Sequence, residues 1–278
     1  MNILITGGAG SLGTALLKEI NARSHEGVVV RVFDNNEHAL SKINYPFVRK
    51  TYGSITYMDR LNYAMEDINI CIHCAAMKNI EITEYNPGEV IANNIVGTNN
   101  VAMSAIKNNV GKVLLISSDK SVEPTNLYGV SKLASEHIIL RHNETQPHTK
   151  LSVFRSANFS ESNGAVKEVW ANQQKNNIPI TITSMNCVRY YISVEKVACE
   201  IMDIIEHMNG GEIFIPHERM LEPKSVRTLL REMYGDDDVP EYNVIGLRSG
   251  EKLSEKLYSN RERSKLKLFE HSNCYVIR

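Results

Sequence analysis

The chain has 278 residues, 42% of them hydrophobic, with 31 Lys+Arg set against 32 Asp+Glu. That length buries a large core and fits one sizeable α/β domain with an appended smaller lobe. The near-zero net charge gives no basic excess to mark nucleic acid as a partner, and no apolar run approaches the roughly 20 residues needed to span a bilayer, so neither nucleic acid nor membrane is expected.

Asn2 to Thr6 (NILIT) reads as a short buried strand, followed by Gly7-Gly8-Ala9-Gly10-Ser11-Leu12-Gly13 and a helical pattern through Ala15, Leu16, Leu17 and Ile20. Strand, glycine-rich turn and helix in that order suit a nucleotide. Gly7, Gly10 and Gly13 allow a tight turn and close approach to a pyrophosphate, and the free N–H groups around Ser11, Leu12 and Gly13 face the phosphates. A second strand, Val28 to Phe33, ends in Asp34, where a carboxylate accepts hydrogen bonds from the adenosine ribose and repels a 2′-phosphate. The cofactor expected is NAD or NADP, with NAD favoured by Asp34; Asn35 and Asn36 add no positive charge for the phosphate. The alternative role for Asp34 is to cap the helix that begins near Glu37.

Phe47 and Val48 fit a third strand, and Ser54 and Ile55 fall where a loop contacts adenine. Ile70 to His73 is a fourth strand, running into Ala75 and Ala76, whose small side chains let a cofactor lie close, and Lys78, which is either a surface lysine or a cation facing the active site. Cys71-Ile-His-Cys74 has CxxC spacing, but it lies in a strand-like run and no second Cys or His pair follows at zinc-ligand distance, so core packing is expected and no metal. The five cysteines, an odd number mostly inside apolar runs, point to reduced thiols and a cytoplasmic location.

A helical pattern from Pro87 to Asn108 carries Asn93, Asn94 and Asn99, at least one of which needs a backbone partner if buried. Asn94 is placed with the cofactor-contacting residues. Val113 to Ile116 is the fifth strand, and Ser118, Asp119 and Lys120 follow at its carboxyl end, where open α/β sheets place their ligands. Tyr128 and Lys132, one helical turn apart in the segment Leu127 to Leu140, share a face, so the ammonium can stabilise a phenolate. Leu151 to Arg155 is the sixth strand. Repeated strand-helix units imply an α/β fold with a doubly wound parallel Rossmann sheet over residues 1–155. Past Ser156 the alternation breaks down. Polar stretches (Ser160 to Gly164 among them), short strands at Ile180 to Ile182 and Ile213 to Ile215 and a helix from Val194 to His207 indicate that residues 156–278 complete the sheet and form a smaller substrate-binding lobe. Asp236 to Asp238 reads as a solvated turn.

Together TGGAGSLG (6–13), AAMKNIEITEYNP (75–87), SSDKSVEPTNLYGVSK (117–132), GGEIFIP (210–216) and GLRSGEKLSE (246–255) resemble the extended short-chain dehydrogenase/reductases, and within them the UDP-N-acetylglucosamine 4,6-dehydratases of polysaccharide biosynthesis. The resemblance implies that Tyr128, assisted by Lys132, takes the sugar O4 proton while hydride leaves C4. Lys120 then removes the C5 proton, Asp119 protonates the departing C6 hydroxyl, hydride returns to C6, and Ser118 hydrogen-bonds O4. Asp119 needs a raised pKa and Lys120 a lowered one for this, which burial favours and mutual attraction opposes. Similarity to the inverting, soluble branch implies C5 reprotonation from the other face, a UDP-sugar substrate touched by Lys78, Asn158, Arg189, Arg248 and Glu251, and a homo-oligomer, a dimer or larger.

The departures from the family pattern lie in the substrate half: Arg155-Ser156-Ala157-Asn158 for arginine-tyrosine-glycine-asparagine, Ser162-Asn163 where an arginine normally follows a serine, SMNCVRYY before and around Arg189, and Ser249 for proline. A 4-epimerase or 4-ketoreductase on this fold would have no need of Asp119 and Lys120, and a cofactor-sensing regulator no need of Tyr128 and Lys132.

Overall fold

The computed structural model describes residues 1–23, 27–160, 166–236 and 238–278; Ser162-Asn163, most of the Ser160 to Gly164 stretch and Asp237 of the acidic turn lie outside the described residues. From the N-terminus the elements are β1 (Asn2–Thr6), α1 (Ser11–Ala22), β2 (Val29–Asp34), α2 (Glu37–Ser41), β3 (Val48–Tyr52), α3 (Met58–Met65), β4 (Ile70–His73), α4 (Ile80–Tyr85), α5 (Pro87–Val90), α6 (Gly97–Lys107), β5 (Lys112–Ser118), α7 (Leu127–Thr145) and β6 (Lys150–Ser156). The second half adds β7 (Asn158–Phe159), α8 (Val166–Lys175), β8 (Ile180–Ile182), β9 (Val188–Ile192), α9 (Val194–His207), β10 (Ile213–Pro216), β11 (Glu222–Ser225), α10 (Val226–Tyr234), β12 (Tyr242–Val244), α11 (Asn260–Arg263), β13 (Lys267–Leu268) and β14 (Cys274–Ile277).

Among the described residues the main sheet runs β13-β14-β10-β6-β5-β4-β1-β2-β3. Strand order reverses between β1 and β4, which opens a crevice at their carboxyl ends. Alternation along each strand feeds two cores. Ile3 and Ile5 pack with Leu16 and Leu17 of α1 and Val197 and Ile201 of α9 on one face, while Leu4 packs with Leu61, Val101 and Ile139 on the other. The expected parallel sheet is present, with one difference: β14 pairs antiparallel with both β10 and β13. The smaller sheets β11-β9-β7 and β12-β8 come entirely from the second half of the chain.

The predicted helix from Pro87 to Asn108 is interrupted by a wider π-helical turn at Ile91–Val96. The side chain of buried Asn94, in that turn, accepts from the Met77 N–H at 2.8 Å and donates to the Met77 carbonyl at 2.9 Å, satisfying a loop backbone that no strand pairs. Its own carbonyl accepts the hydroxyls of Thr98 and Ser135. The third strand starts at Val48 rather than Phe47, although the Phe47 carbonyl still accepts from Val30.

What registers α7 against β5 and β6 is a buried charge. Glu136 on α7 accepts the Ser117 and Ser121 hydroxyls at 2.5 and 2.6 Å and pairs with Arg155 of β6 at 2.8 Å. Arg155 reaches on to Glu262 of α11 at 3.1 Å and to the Leu257 carbonyl at 3.0 Å. Burial would lower the guanidinium's pKa, but the two carboxylates hold it above its ordinary value. Removing one partner strands the other charge in the core. Glu136→Ala should therefore cost roughly 3–5 kcal/mol of stability by urea denaturation, whereas an exposed pair such as Arg141–Glu144 should change it by less than about 1 kcal/mol.

Candidate active site

After β1 the chain turns at Gly7, whose φ of +65° is left-handed and where a Cβ would come within 2.7 Å of the Ala75 backbone. This contact forms the floor of the β1/β4 crevice. Helix α1 then starts from Gly10 with no side-chain cap and no acidic residue in its first turn. Its leading N–H groups are left for an anion, offered through the backbone because Leu12 and Gly13 are buried. At the end of β2 the Asp34 carboxylate accepts from the Ala9 N–H at 3.0 Å and the Asn36 N–H at 2.9 Å, binding this strand end to the glycine turn. Capping of α2 falls to Asn36 instead, whose side chain accepts from the Ala39 N–H; Asn35 beside it is exposed. The Ser54 hydroxyl meets that of Thr56, and Ile55 is buried in the core with its carbonyl held by Asn100. Ala75 and Ala76 follow β4 on the opposite wall. A bare turn, an uncapped helix start and a carboxylate one strand away fit a dinucleotide.

Next along the sheet, β5 ends at Ser118 and the chain makes a tight turn, Asp119–Ser121. Asp119 is only 1% exposed. The Lys120 ammonium stands 3.0 Å from its Oδ1 and donates to Asn158 Oδ1 at 2.9 Å. Asn158 in turn donates to the Tyr190 carbonyl at 3.1 Å, and Ser118 Oγ donates to Asp119 Oδ1 at 2.9 Å. Asn126 caps α7 and brings its first turn against this loop so tightly that a Cβ on Gly129 would overlap the Lys120 carbonyl oxygen. Gly129 is thus what lets Tyr128 stand beside Ser118, Asp119 and Lys120; its signal was the second residue of the Tyr-Gly-x-x-Lys motif.

Two electrostatic expectations change. Tyr128 and Lys132 do share α7, but the Lys132 ammonium is directed to the Ile116 carbonyl at 2.6 Å, and the cation acting on the Tyr128 phenol is Lys120. Burial raises the phenol's pKa, with Lys120 and a Ser118 hydrogen bond pulling it back and Asp119 adding to the rise. Burial also drops Lys132 to about 8 against the opposing charge of Glu136. For Lys120 mutual attraction wins: burial alone would lower its pKa, but Asp119 and then Glu255 hold it above the ordinary lysine value. Lys120 thus holds its proton more tightly than a free lysine, the reverse of the base form, and lies 3.0 Å from Asp119 Oδ1.

Lys78 lies just before α4, its ammonium lowered by desolvation against the pull of Glu168. Arg189 on β9 donates to the Val188, Lys252 and Leu253 carbonyls and pairs with Glu251 at 3.2 Å, while Glu251 also accepts the Arg248 N–H at 3.1 Å. Arg189 and Glu251 thus brace the loop that carries Arg248, whose side chain is exposed. Cys71 and Cys74 are free thiols; burial pushes Cys71 up, and Cys74 up to about 12.

A family model described as "Polysaccharide biosynthesis protein" matches residues 3–278. The chain belongs to this family. Within it, a UDP-N-acetylglucosamine 4,6-dehydratase (inverting) of Campylobacter jejuni is 35% identical over 99% of this chain and 82% of its own length. A UDP-glucose 4-epimerase of Rickettsia rickettsii is 30% identical over 95% and 79%. The X-ray structure of Pen from Bacillus thuringiensis superposes with a TM-score of 0.89 at 31% identity, covering 99% of this chain and 88% of that one. The family read from the motifs is borne out over nearly the whole chain.

In this polysaccharide-biosynthesis protein the depressed lysine of α7 has a measurable signature. Between pH 8 and the ordinary lysine value of 10.5, Lys132 is charged only in the unfolded chain, so the unfolded state binds more protons and stability rises with pH. The difference in unfolding free energy between the native protein and Lys132→Met should therefore grow in favour of the native protein across that window. The growth is of the order of 3 kcal/mol, and urea melts at pH 7.5 and 10.5 measure it.

Proposed function

We propose that this protein is an NAD(P)-dependent nucleotide-sugar 4,6-dehydratase acting on a UDP-sugar, UDP-N-acetylglucosamine first, with inversion at C5. Residues 1–155 hold the dinucleotide and the reacting groups, and residues 156–278 build the substrate lobe. The observation that carries the reading is the buried Asp119–Lys120 pair, 3.0 Å apart, beside Tyr128: an oxidation-reduction at C4 alone needs the tyrosine but has no use for an adjoining acid and base. The inverting dehydratase of Campylobacter jejuni named above supports it.

A bound dinucleotide would supply the hydride acceptor for C4 and the hydride donor for C6, with C5 taking a solvent-derived proton on the opposite face. Gly7, Gly10, Ser11, Leu12 and Gly13 receive its pyrophosphate, and Asp34, which repels a 2′-phosphate, favours NAD. Tyr128, as the phenolate that the Lys120 ammonium and the Ser118 hydroxyl favour, takes the O4 proton, with Ser118 hydrogen-bonded to the same oxygen. The 4-ketone so formed acidifies C5–H. One proton passed across the ion pair, from Lys120 to Asp119, turns both groups into their working forms without any exchange with solvent. Covering by the sugar favours that neutral pair because charge separation is costliest where water is excluded. Lys120 then removes the C5 proton as Asp119 protonates the leaving C6 hydroxyl, and the elimination regenerates the ion pair. Asn158, bonded to Lys120, keeps the amine aimed through these changes.

Lys78 and Arg248 are assigned to the UDP-sugar, Arg248 suiting its diphosphate, while Arg189 and Glu251, bonded to each other, hold the loop that presents Arg248. We further propose a cytoplasmic homo-oligomer, a dimer or larger, supported by the exposed apolar side chains Ile82, Tyr85, Ile91, Val96 and Met103 along α4 to α6.

In deuterated water with UDP-N-acetylglucosamine and cofactor, proton NMR should show a new C6 methyl signal and deuterium at C5. Tyr128→Phe should lower the rate roughly 10²–10⁴-fold, and Lys120→Met should abolish C5 exchange while leaving C4 oxidation measurable as reduced cofactor. A 4-epimer product without a methyl signal would reject the dehydratase.

A further inference from the structure

One buried titratable group takes no part in the chemistry above. His73 closes β4, only 1% exposed, with both ring nitrogens engaged. Nδ1 lies 2.7 Å from the Thr6 hydroxyl at the end of β1, and Nε2 lies 3.0 Å from the Thr98 hydroxyl on α6. These ring partners are hydroxyls rather than carboxylates, and an imidazolium between them would be a buried, unpaired charge. Burial, with the Lys132 cation of α7 adding to it, drops the imidazole's pKa to about 3.

Which nitrogen carries the proton follows from Thr98. Its hydroxyl oxygen stands 2.6 Å from the Asn94 carbonyl oxygen, and two oxygens that close need a hydrogen between them, which only Thr98 can supply. With that hydrogen spent, Thr98 can only accept from His73, so Nε2 carries the proton and Nδ1 is bare. The bare Nδ1 turns the Thr6 hydroxyl toward itself, and the same oxygen accepts from the Ala75 N–H at 3.4 Å. Ala75 is the residue against which Gly7 packs at the floor of the crevice. At the other end, the Asn94 carbonyl also accepts from Ser135 of α7. The Asn94 amide donates to Ser131, whose hydroxyl donates to the Tyr128 carbonyl at 2.7 Å. Hydrogen bonds thus run unbroken from the crevice floor to the turn of α7 that carries Tyr128, with His73 as the titratable link.

We propose that His73 is a positioning residue for the dinucleotide site: as the Nε2–H imidazole it locks the crevice floor at Thr6 and Ala75 to the turns of α6 and α7 that set Tyr128. Its purpose rests on the dinucleotide reading; the form of the ring does not. An Nδ1–H imidazole or an imidazolium would point a donor at Thr6 and reverse the first bond of the line.

The ring is read directly in full-length protein labelled with ¹⁵N-histidine, with His73 identified by its absence in His73→Asn. Two-bond ¹H–¹⁵N correlations should show the neutral Nε2–H pattern, unchanged from about pH 8 to about pH 5. An Nδ1–H pattern, or titration inside that range, overturns the proposal. Calorimetric titration with NAD, without sugar, tests the link. Thr98→Val keeps the side chain's shape and removes the acceptor, and should weaken NAD on the order of tenfold; Thr98→Ser should restore it. A link that serves only the fold would lower the urea midpoint of Thr98→Val and leave its NAD affinity native, which overturns the proposal. Should Thr98→Val fail to fold, His73→Asn, too short to span from Thr6 to Thr98, takes its place with the same two outcomes. Native protein that binds neither NAD nor NADP would remove the dinucleotide reading and this proposal with it, whereas absence of a C6 methyl product alone would reject only the dehydratase.

Discussion

A single carboxylate fixes the geometry on which the site depends. Glu136 joins Ser117 near the end of β5, Ser121 at the end of the Asp119–Ser121 turn and Arg155 on β6, and Arg155 extends the link to α11. Each partner satisfies part of a charge that the core cannot leave bare. Because α7 carries both Glu136 and Tyr128, the same bond set that closes the core also sets how far the phenol lies from Ser118 and Asp119. The groups at the carboxyl end of β5 are thus held from beneath by this network.

Above that base the two halves of the chain are interleaved rather than stacked. The second half sends β10 and β14 into the main sheet, Asn158 into the Asp119–Lys120 pair and residues 250–255 across the Asp119–Ser121 turn. Built this way, the second half of the chain touches the Asp119–Lys120 pair directly, through Asn158.

Much of this was legible in the sequence, and the reasons are physical. Buried parallel strands read as short branched apolar runs, so β4 and β8 fall on their predicted residues, as does the amphipathic helix α9. The glycine turn and the Asp119, Lys120, Tyr128 and Lys132 motifs depend on spacing along one chain segment, which a sequence displays. What it could not display is which partner a long flexible side chain chooses. Lys132 is within reach of Tyr128 by spacing alone, but the Ile116 carbonyl on the neighbouring strand β5 takes it. The same holds for Arg189, which faces a loop some sixty residues away, and for the π-helical turn at Asn94, forced by a bond to Met77 that local periodicity does not encode. The antiparallel β14 escaped because its four residues have no alternation long enough to read.

The borders of the main sheet have a consequence for how the molecule meets its neighbours. On one side β3 presents exposed Arg49 and Lys50 along its length; on the other, β13 is two exposed residues long and begins with Lys267. A strand border offers free amide and carbonyl groups to any passing chain, and repelling cations or a stub too short to zip are ways of refusing it. Copies of this protein are therefore steered away from continuous sheet-to-sheet fibres, and self-association is left to the helical faces.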